Sequence, residues 1–248
     1  YIGANPNNYV SFNDELWRII GVFSEDTHGL SGQKLIKLIR NESLGNIAWD
    51  SANTNDWSAA SLQTTLNGDY LNGTGSYAST GIKSDAAREM IETVTWKLGG
   101  TASFSSASNG LSSHFYGYER GTTVYSGRPT TGNGKVALMY PSDYGYATSG
   151  GSTTNRETCL AKELYNWYLS SFSDCKNNDW LYDSSAFSWT LTSSSSNSNS
   201  VFYVGSDGYL NISNASHGHG VRPSIYLKSN IGISGGDGTS DSPYTLEV

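Results

Sequence analysis

The sequence predicts one α+β domain of mainly antiparallel short strands, with a few short helices and an N-terminal antiparallel extension. Three observations point there. Short β-branched and aromatic runs recur along the chain. The 28 glycines supply turns between them, and only 5 prolines interrupt. Helical periodicity appears only in short windows. A length of 248 residues suits a single domain of this class. Hydrophobic content is low at 36%, but 17 Tyr and 7 Trp provide large apolar bodies for a core.

The elements follow in order. Tyr9-Val10-Ser11-Phe12 and Leu16 to Val22 read as strands around an Asn13-Asp14 hairpin turn. Lys34 to Arg40 is a third strand, and Asn41 to Gly45 closes this N-terminal part, residues 1–45. Asp56 to Asn67 reads as a short helix capped by Asp56 or Ser58, with Leu62 and Leu66 on one face. Ser84 to Glu92 reads as a second helix with Ser84 as N-cap, and Val94 to Leu98 as a strand. Thr101 to Gly134 is Gly/Ser-rich and is expected to be a long loop or irregular hairpin. Lys135 to Pro141 is expected to be a core strand, followed by turn-rich text to Thr154. Leu160, Leu164, Trp167 and Tyr168 recur at helical spacing within Glu157 to Ser171. No internal repeat or linker divides the chain.

The C-terminal part, residues 189–248, alternates a rigid frame with a polar filling. The frame is Trp189, Leu191, Val201 to Val204, then Gly220-Val221-Arg222-Pro223 and Ile225-Tyr226-Leu227. Val201 to Val204 is a strand, Ser206-Asp207-Gly208 a turn, Tyr209 to Ile212 the second arm of a hairpin. Val221 to Leu227 is expected to be a third strand, with Pro223 at an edge or bulge. The filling, Ser193 to Ser200 and Ser213 to His219, is expected in loops or on exposed faces. Thr192 to Gly220 contains no Lys, Glu, Gln, Trp or Met. Those types make up 28 of 248 residues, so about three would fall there in proportion. A Ser/Asn-rich loop region is the plain reading of this bias.

Composition bounds the function. A net charge of −7 without a Lys/Arg run disfavours nucleic acid and anionic membranes as partners. No segment approaches the roughly 20 apolar residues of a membrane helix. No signal peptide is recognisable. The start at Tyr1 is read as that of a trimmed ectodomain, with any membrane anchor outside this chain. Cys159 and Cys175 are an even count without C-x-x-C spacing, and are expected to form one disulfide in an oxidising compartment.

Trp189-Thr190-Leu191, Val201-Phe202-Tyr203-Val204, Ser206-Asp207-Gly208 and Gly220-Val221-Arg222-Pro223-Ser224-Ile225-Tyr226-Leu227 together resemble the C-terminal half of the C-type-lectin-like fold. The version is the one shared by formylglycine-generating enzymes and by variable proteins of diversity-generating retroelements. The text from Tyr9 to Asn13 and from Glu15 to Ile20 is similar to that of gut bacterial surface proteins. So are Ile39 to Ser43, Asp56 to Asn67 and Gly235 to Thr239. This resemblance implies an extracellular or cell-surface ligand-binding display protein or adhesin. In retroelement variable proteins, adenine-directed mutagenesis turns Asn codons into Ser, Tyr, Gly, Asp and His. That is the vocabulary between Ser193 and His219.

The ligand-binding candidates are Ser193, Ser195, Asn197, Asn199, Tyr209, Asn211, Ser213, Asn214, Ser216, His217 and His219. Tyr offers contact area with few rotors, and Ser and Asn offer adaptable hydrogen bonds. The expected ligand is a protein or carbohydrate on another cell or surface. Replacing Tyr209, Asn211 and His217 together is expected to spare the fold. No catalytic residue, cofactor or metal is expected. An enzyme of the formylglycine-generating type needs reactive cysteines, and Cys159 and Cys175 suit a disulfide better. His217 and His219 have the alternation of two metal ligands but no adjacent acidic cluster. Asp237 and Asp241 are read as turn residues rather than calcium ligands. Arg222 is expected to hold carbonyls or a carboxylate beneath the face. A structural pilus-like or surface-layer subunit is the alternative function.

Overall fold

A hairpin opens the computed structural model, which describes residues 1–248. β1 (Tyr9–Phe12) and β2 (Glu15–Phe23) pair antiparallel around Asn13 and Asp14. Both turn residues take positive φ, 60° and 58°. A two-residue type I′ turn demands this, and Asn and Asp tolerate it. After one helical turn, α1 (Glu25–His28), β3 (Leu35–Arg40) pairs with β2. β4 (Asn46–Ala48) then leaves for a second sheet.

α2 (Ser61–Thr65) runs into a π-helical turn over Leu66–Tyr70. Neither Asp56 nor Ser58 caps it. Asp56 closes its own turn, accepting from the Ser58 N–H at 3.0 Å, and Asp50 accepts from the Ser61 N–H at 3.0 Å. α3 (Asp85–Met90) has the expected cap, Ser84 accepting from the Ala87 N–H at 3.1 Å. β5 (Val94–Lys97) follows.

Two helices stand where the sequence indicated loop and turns. α4 (Ser112–Arg120) lies inside Thr101 to Gly134. Its Ser, His, Phe, Tyr and Gly are indifferent helix formers. Burial of Phe115 and Glu119, one turn apart, holds it in place, and the Phe115 ring meets Phe202 at 5.2 Å. β6 (Thr131–Gly134) pairs with β5, and β7 (Val136–Ala137) is all that forms of the expected strand over Lys135 to Pro141. Leu138 to Tyr140 are irregular, and α5 (Pro141–Ala147) starts at the last residue of the expected strand and occupies part of the turn-rich text after it. Pro141 occupies its first position, and Asp143 accepts from the Tyr140 N–H at 2.7 Å.

The helical spacing over Glu157 to Ser171 does not give one helix. α6 (Arg156–Leu160) stops, and the Leu164 N–H donates to the Gly110 carbonyl at 2.9 Å instead of continuing the helix. α7 (Ser173–Asn177) comes after two single turns. The Cys159–Cys175 disulfide joins α6 to α7, with both cysteines buried.

The C-terminal strands are β8 (Ser188–Ser193), β9 (Ser200–Val204), β10 (Leu210–Asn214), β11 (Gly218–Gly220) and β12 (Ser224–Tyr226). Of the single strand expected over Val221 to Leu227 only Ser224–Tyr226 forms, and Val221 to Pro223 is the crossing between β11 and β12. Pro223 cannot donate to a ladder, and there the chain changes sheets. β11 pairs with β4 and β8, whereas β12 lies between β3 and β7. A last hairpin joins β13 (Gly232–Gly235) and β14 (Thr245–Glu247).

Two five-stranded sheets result, ordered β1-β2-β3-β12-β7 and β10-β9-β8-β11-β4. The first mixes strands from residues 1–45 with a strand from residues 189–248. Pairing is antiparallel throughout except between β11 and β8. Both faces of β9 are buried. Val201 and Tyr203 belong to one core with Trp17, Trp49 and Trp189, and Phe202 and Val204 to another with Phe115, Tyr144 and Trp167.

One buried ion pair joins β3 to α5. The Lys37 ammonium meets Asp143 at 2.5 Å, and both side chains are almost wholly enclosed. The ammonium stands 4.3 Å from the Tyr140 ring centroid and 5.6 Å from that of Trp96. Burial pulls the Lys37 pKa down, and Asp143 opposes the shift. Asp143→Ala strands an unpaired cation and should cost about 3–5 kcal/mol in urea unfolding. Lys37→Met with Asp143→Asn removes both charges but keeps an acceptor for Tyr140. That pair should recover most of the loss.

Candidate binding face

The candidate residues fall on the second sheet, and they divide into two groups. β9 and β10 place Tyr203 opposite Asn211 and Val201 opposite Ser213. Trp189 of β8 lies on the other side of Tyr203. This face packs Val201 and Leu191 into the core at one end. At the Tyr203 end the covering stops. Tyr209 and Asn211 are half-buried there and Phe187 is exposed, whereas half-buried Ser213 lies opposite Val201 with exposed His217 bonded to it.

The open end is a band of rings. Tyr168 meets Tyr209 at 6.3 Å, Tyr209 meets Tyr203 at 5.8 Å, and Tyr203 meets His219 at 4.7 Å. Phe187 stands edge-on to His219 at 5.3 Å, and Trp189 lies 4.2 Å from the same ring. The Tyr203 and Tyr209 hydroxyls share a hydrogen bond of 2.6 Å. Ser213 Oγ pairs with His217 Nδ1 at 3.0 Å. A depression of about 220 Å³ beside this band is lined by Asn46, Ser185, Phe187, Ser206, Gly218 and His219.

His219 is a core member of the face, not a surface ring, at 8% exposure. Its Nδ1 lies 2.9 Å from its neighbour's carbonyl, the Gly218 oxygen, which assigns the ring proton to Nδ1. Nε2 is buried without a partner. Burial lowers the His219 pKa, with the Gly218 carbonyl opposing and His217 adding to the shift. The two histidine rings are 6.5 Å apart, and no three His, Cys, Asp or Glu side chains stand together in a way that would hold a metal ion.

The second group lies at the far end of the hairpin. Asn55 Nδ2 donates to the carbonyls of Ser194 at 2.9 Å, Asn197 at 2.7 Å and Ser200 at 3.2 Å. Arg128 braces Asn55 Oδ1 at 3.2 Å and the Ser198 carbonyl at 3.2 Å. This clamp holds the β8–β9 loop by its backbone and leaves the Asn197 side chain exposed. Ser195 and Asn199 are half-buried, and Ser193 is buried at the end of β8. Asn214 and Ser216 are exposed between the two groups. Ser193, Ser194, Ser200, Ala215 and His219 therefore depart from the expectation that the filling lies in loops or on exposed faces. The rings of Phe187, Trp189 and Tyr203 close over His219, and the Gly100 backbone lies against that of Ser193.

Tyr209 also departs from expectation. Its ring lies against Gly205, where an added Cβ would come within 2.3 Å of Tyr209 Cε1, and packs on the core. Tyr209 is thus half-buried support for the sheet rather than a free surface ring. Sequence reasoning left out Phe187 and Tyr168. Phe187 was legible, because it precedes Trp189 by two residues in the strand direction. Tyr168 had no such signal. A separate pocket of about 270 Å³, between Tyr1, Ile20, Phe23, Tyr146 and Trp180, contains none of the candidates.

Comparison with protein-family models, curated proteins and solved structures returns no match for this chain.

The histidine chemistry has a direct test. The folded His219 pKa lies below 6.5, whereas the unfolded value is ordinary. Between those two values the unfolded chain binds more protons, so stability falls as pH drops from 6.5 through the folded pKa. NMR should show the His219 ring titrating below 6.5. His219→Phe should flatten this part of the stability–pH curve.

Proposed function

We propose that this chain is an extracellular, C-type-lectin-like binding domain. It engages a protein or carbohydrate on another cell or surface, without turnover, through the open end of its second sheet. The observation that carries this reading is the group of exposed Tyr168, Phe187 and His217 with half-buried Tyr209, Asn211 and Ser213 among them. Rigid rings with adaptable amides and hydroxyls are the composition of binding surfaces. Aromatic anchors beside buried support are where binding energy concentrates. The frame beneath is buried on both faces, so residues above it can differ without disturbing the core. The Cys159–Cys175 disulfide suits an oxidising compartment. No helix is long and apolar enough to cross a membrane.

We read the exposed part of Thr192 to Gly220 as a surface built to vary. Asn197, Asn211, Ser213, Asn214, Ser216 and His217 can change freely. Ser193 and His219 are constrained by burial.

Two measurements test this function. Asn211→Ala with His217→Ala should change the melting temperature by less than about 2 °C, as surface substitutions do. The same variant should lose at least about tenfold in binding to whichever glycan or cell-surface protein the wild type selects from an array, roughly 1.4 kcal/mol. Unchanged binding would remove the face from the proposal. Separately, the DNA downstream of the gene should hold a near-copy of the segment encoding Thr192 to Gly220, differing mainly at adenines, beside a reverse transcriptase gene. Finding neither leaves the face a fixed one.

A further inference from the structure

A polar cleft of about 620 Å³ adjoins the binding face. Its walls include Arg18, Arg222, Asn41, Ser43, Tyr182 and Ser184. It shares the wall residues Asn46, Ser185 and Ala186 with the depression beside Phe187 and His219, so the two lie side by side.

Its two guanidinium groups are held by neutral acceptors, and neither makes an ion pair. Arg18 is 5% exposed. Its Nε donates to Asn8 Oδ1 at 2.9 Å, and its Nη2 reaches Asn5 Oδ1 and the Pro6 carbonyl, both at 3.4 Å. The Tyr9 ring lies 4.2 Å and the Trp180 ring 4.5 Å from its guanidinium carbon. Arg222 Nε donates to the Arg40 carbonyl at 3.0 Å. These bonds leave Arg18 Nη1 and both terminal nitrogens of Arg222 without a protein acceptor. The ion pairs of the chain use Lys37, Arg40, Arg88, Arg120, Arg128 and Lys162 instead.

The carboxylates nearby do not fill this role. Glu42 accepts from Asn41 Nδ2 at 2.8 Å. Asp183 accepts from the Ser185 N–H and hydroxyl, at 2.8 Å and 2.6 Å. Asp179 accepts from the Leu181 N–H, and burial raises its pKa well above the carboxylate range. Burial and the Arg18 charge pull the Arg222 pKa down to about 10, with Asp183 and Glu42 opposing the shift. Two guanidiniums lining one concave wall, each with N–H groups that no protein acceptor takes, offer donors that a bound anion can accept.

The lining also selects among anions. Glu42 and Asp183 balance Arg18 and Arg222 in formal charge, which penalises a phosphate dianion or a polyanion. A single carboxylate matches the planar fork of a guanidinium. The Ser, Asn and Tyr groups around it suit hydroxyls, and Phe187 lies in the adjoining depression for an apolar ring face. We propose that this cleft binds an acidic sugar, a hexuronate, with its carboxylate on Arg222 and Arg18. The sugar ring then extends toward Phe187 and His219. The choice of a carbohydrate rests on the binding face described above, whereas the carboxylate subsite rests on the arginines.

The test is NMR titration of the whole chain with D-galacturonate and D-glucuronate, against D-galactose and D-glucose. The wild type should bind at least one uronate about tenfold more tightly than its neutral counterpart, with shifts at Arg222 and Phe187. Arg222→Gln should abolish that preference. Arg222→Lys keeps the charge but not the fork and should lose most of it, with melting curves confirming that each variant folds. Equal affinity for acid and neutral sugars, or a preference unchanged in both variants, overturns the carboxylate subsite. Preferential binding of inorganic phosphate overturns it as well. Asn211→Ala with His217→Ala separates the two claims. If its array ligand is lost while the uronate preference is absent in the wild type, the face stands and the subsite falls. If uronate binding depends on Arg222 but no ligand depends on the face, the subsite stands and the face falls.

Discussion

The Lys37–Asp143 pair is the constraint on which the arrangement of this molecule depends. An ammonium inside a cage of Phe23, Trp96, Tyr140 and Tyr226 is tolerable only with a carboxylate against it. Asp143 can supply that carboxylate only if α5 begins at Pro141, because the same oxygen caps the Tyr140 N–H. α5 in turn packs beside α4, whose Glu119 accepts from Ser142 through both its N–H and its hydroxyl. One charge in the middle strand of the first sheet therefore fixes the start of one helix and the contacts of another. Arg120 continues the network to Thr27 and the Tyr116 ring.

The second sheet inherits its position from this core. Phe202 of β9 packs on Phe115 of α4, and Tyr144 of α5 donates to the Gly208 carbonyl in the β9–β10 turn at 2.7 Å. The turn bearing Tyr209 is thus anchored from below by the helix that Asp143 caps. From above, the Pro223 crossing delivers β11 and His219 to the same sheet before β12 enters the first. The open end of the sheet over such a frame needs no order of its own. Its rings are held by neighbours in the core, and the amides and hydroxyls between them remain adaptable.

Some of this architecture was legible residue by residue. Asn13-Asp14 announces its turn because few residues accept positive φ. Ser84 announces a helix because its hydroxyl answers an orphan N–H. Tyr9 to Phe12, Leu16 to Val22, Lys34 to Arg40 and Val201 to Val204 are strands in which local preference and burial agree. The start of α5 was also legible, since Pro at the first position and an acid two residues on form a helix-start pattern, but abundant turn residues obscured it. α4 was not. Its sequence has indifferent helix propensity, and Phe115 and Glu119 become informative only when Phe202 and Ser142 are known to face them.

The sequence by itself determined the α+β class, the hairpins and the pairing of Cys159 with Cys175. These follow from local backbone preference, side-chain alternation and cysteine count, which act between near neighbours. Only the tertiary structure decided that Ser193 and His219 are enclosed and that Tyr209 is half core. It also decided that Asn55 clamps the loop and that Arg18 and Arg222 share one cleft. Each depends on which residues distant in the chain close over a side chain. No window of sequence carries that, because burial belongs to the packed assembly and not to the residue.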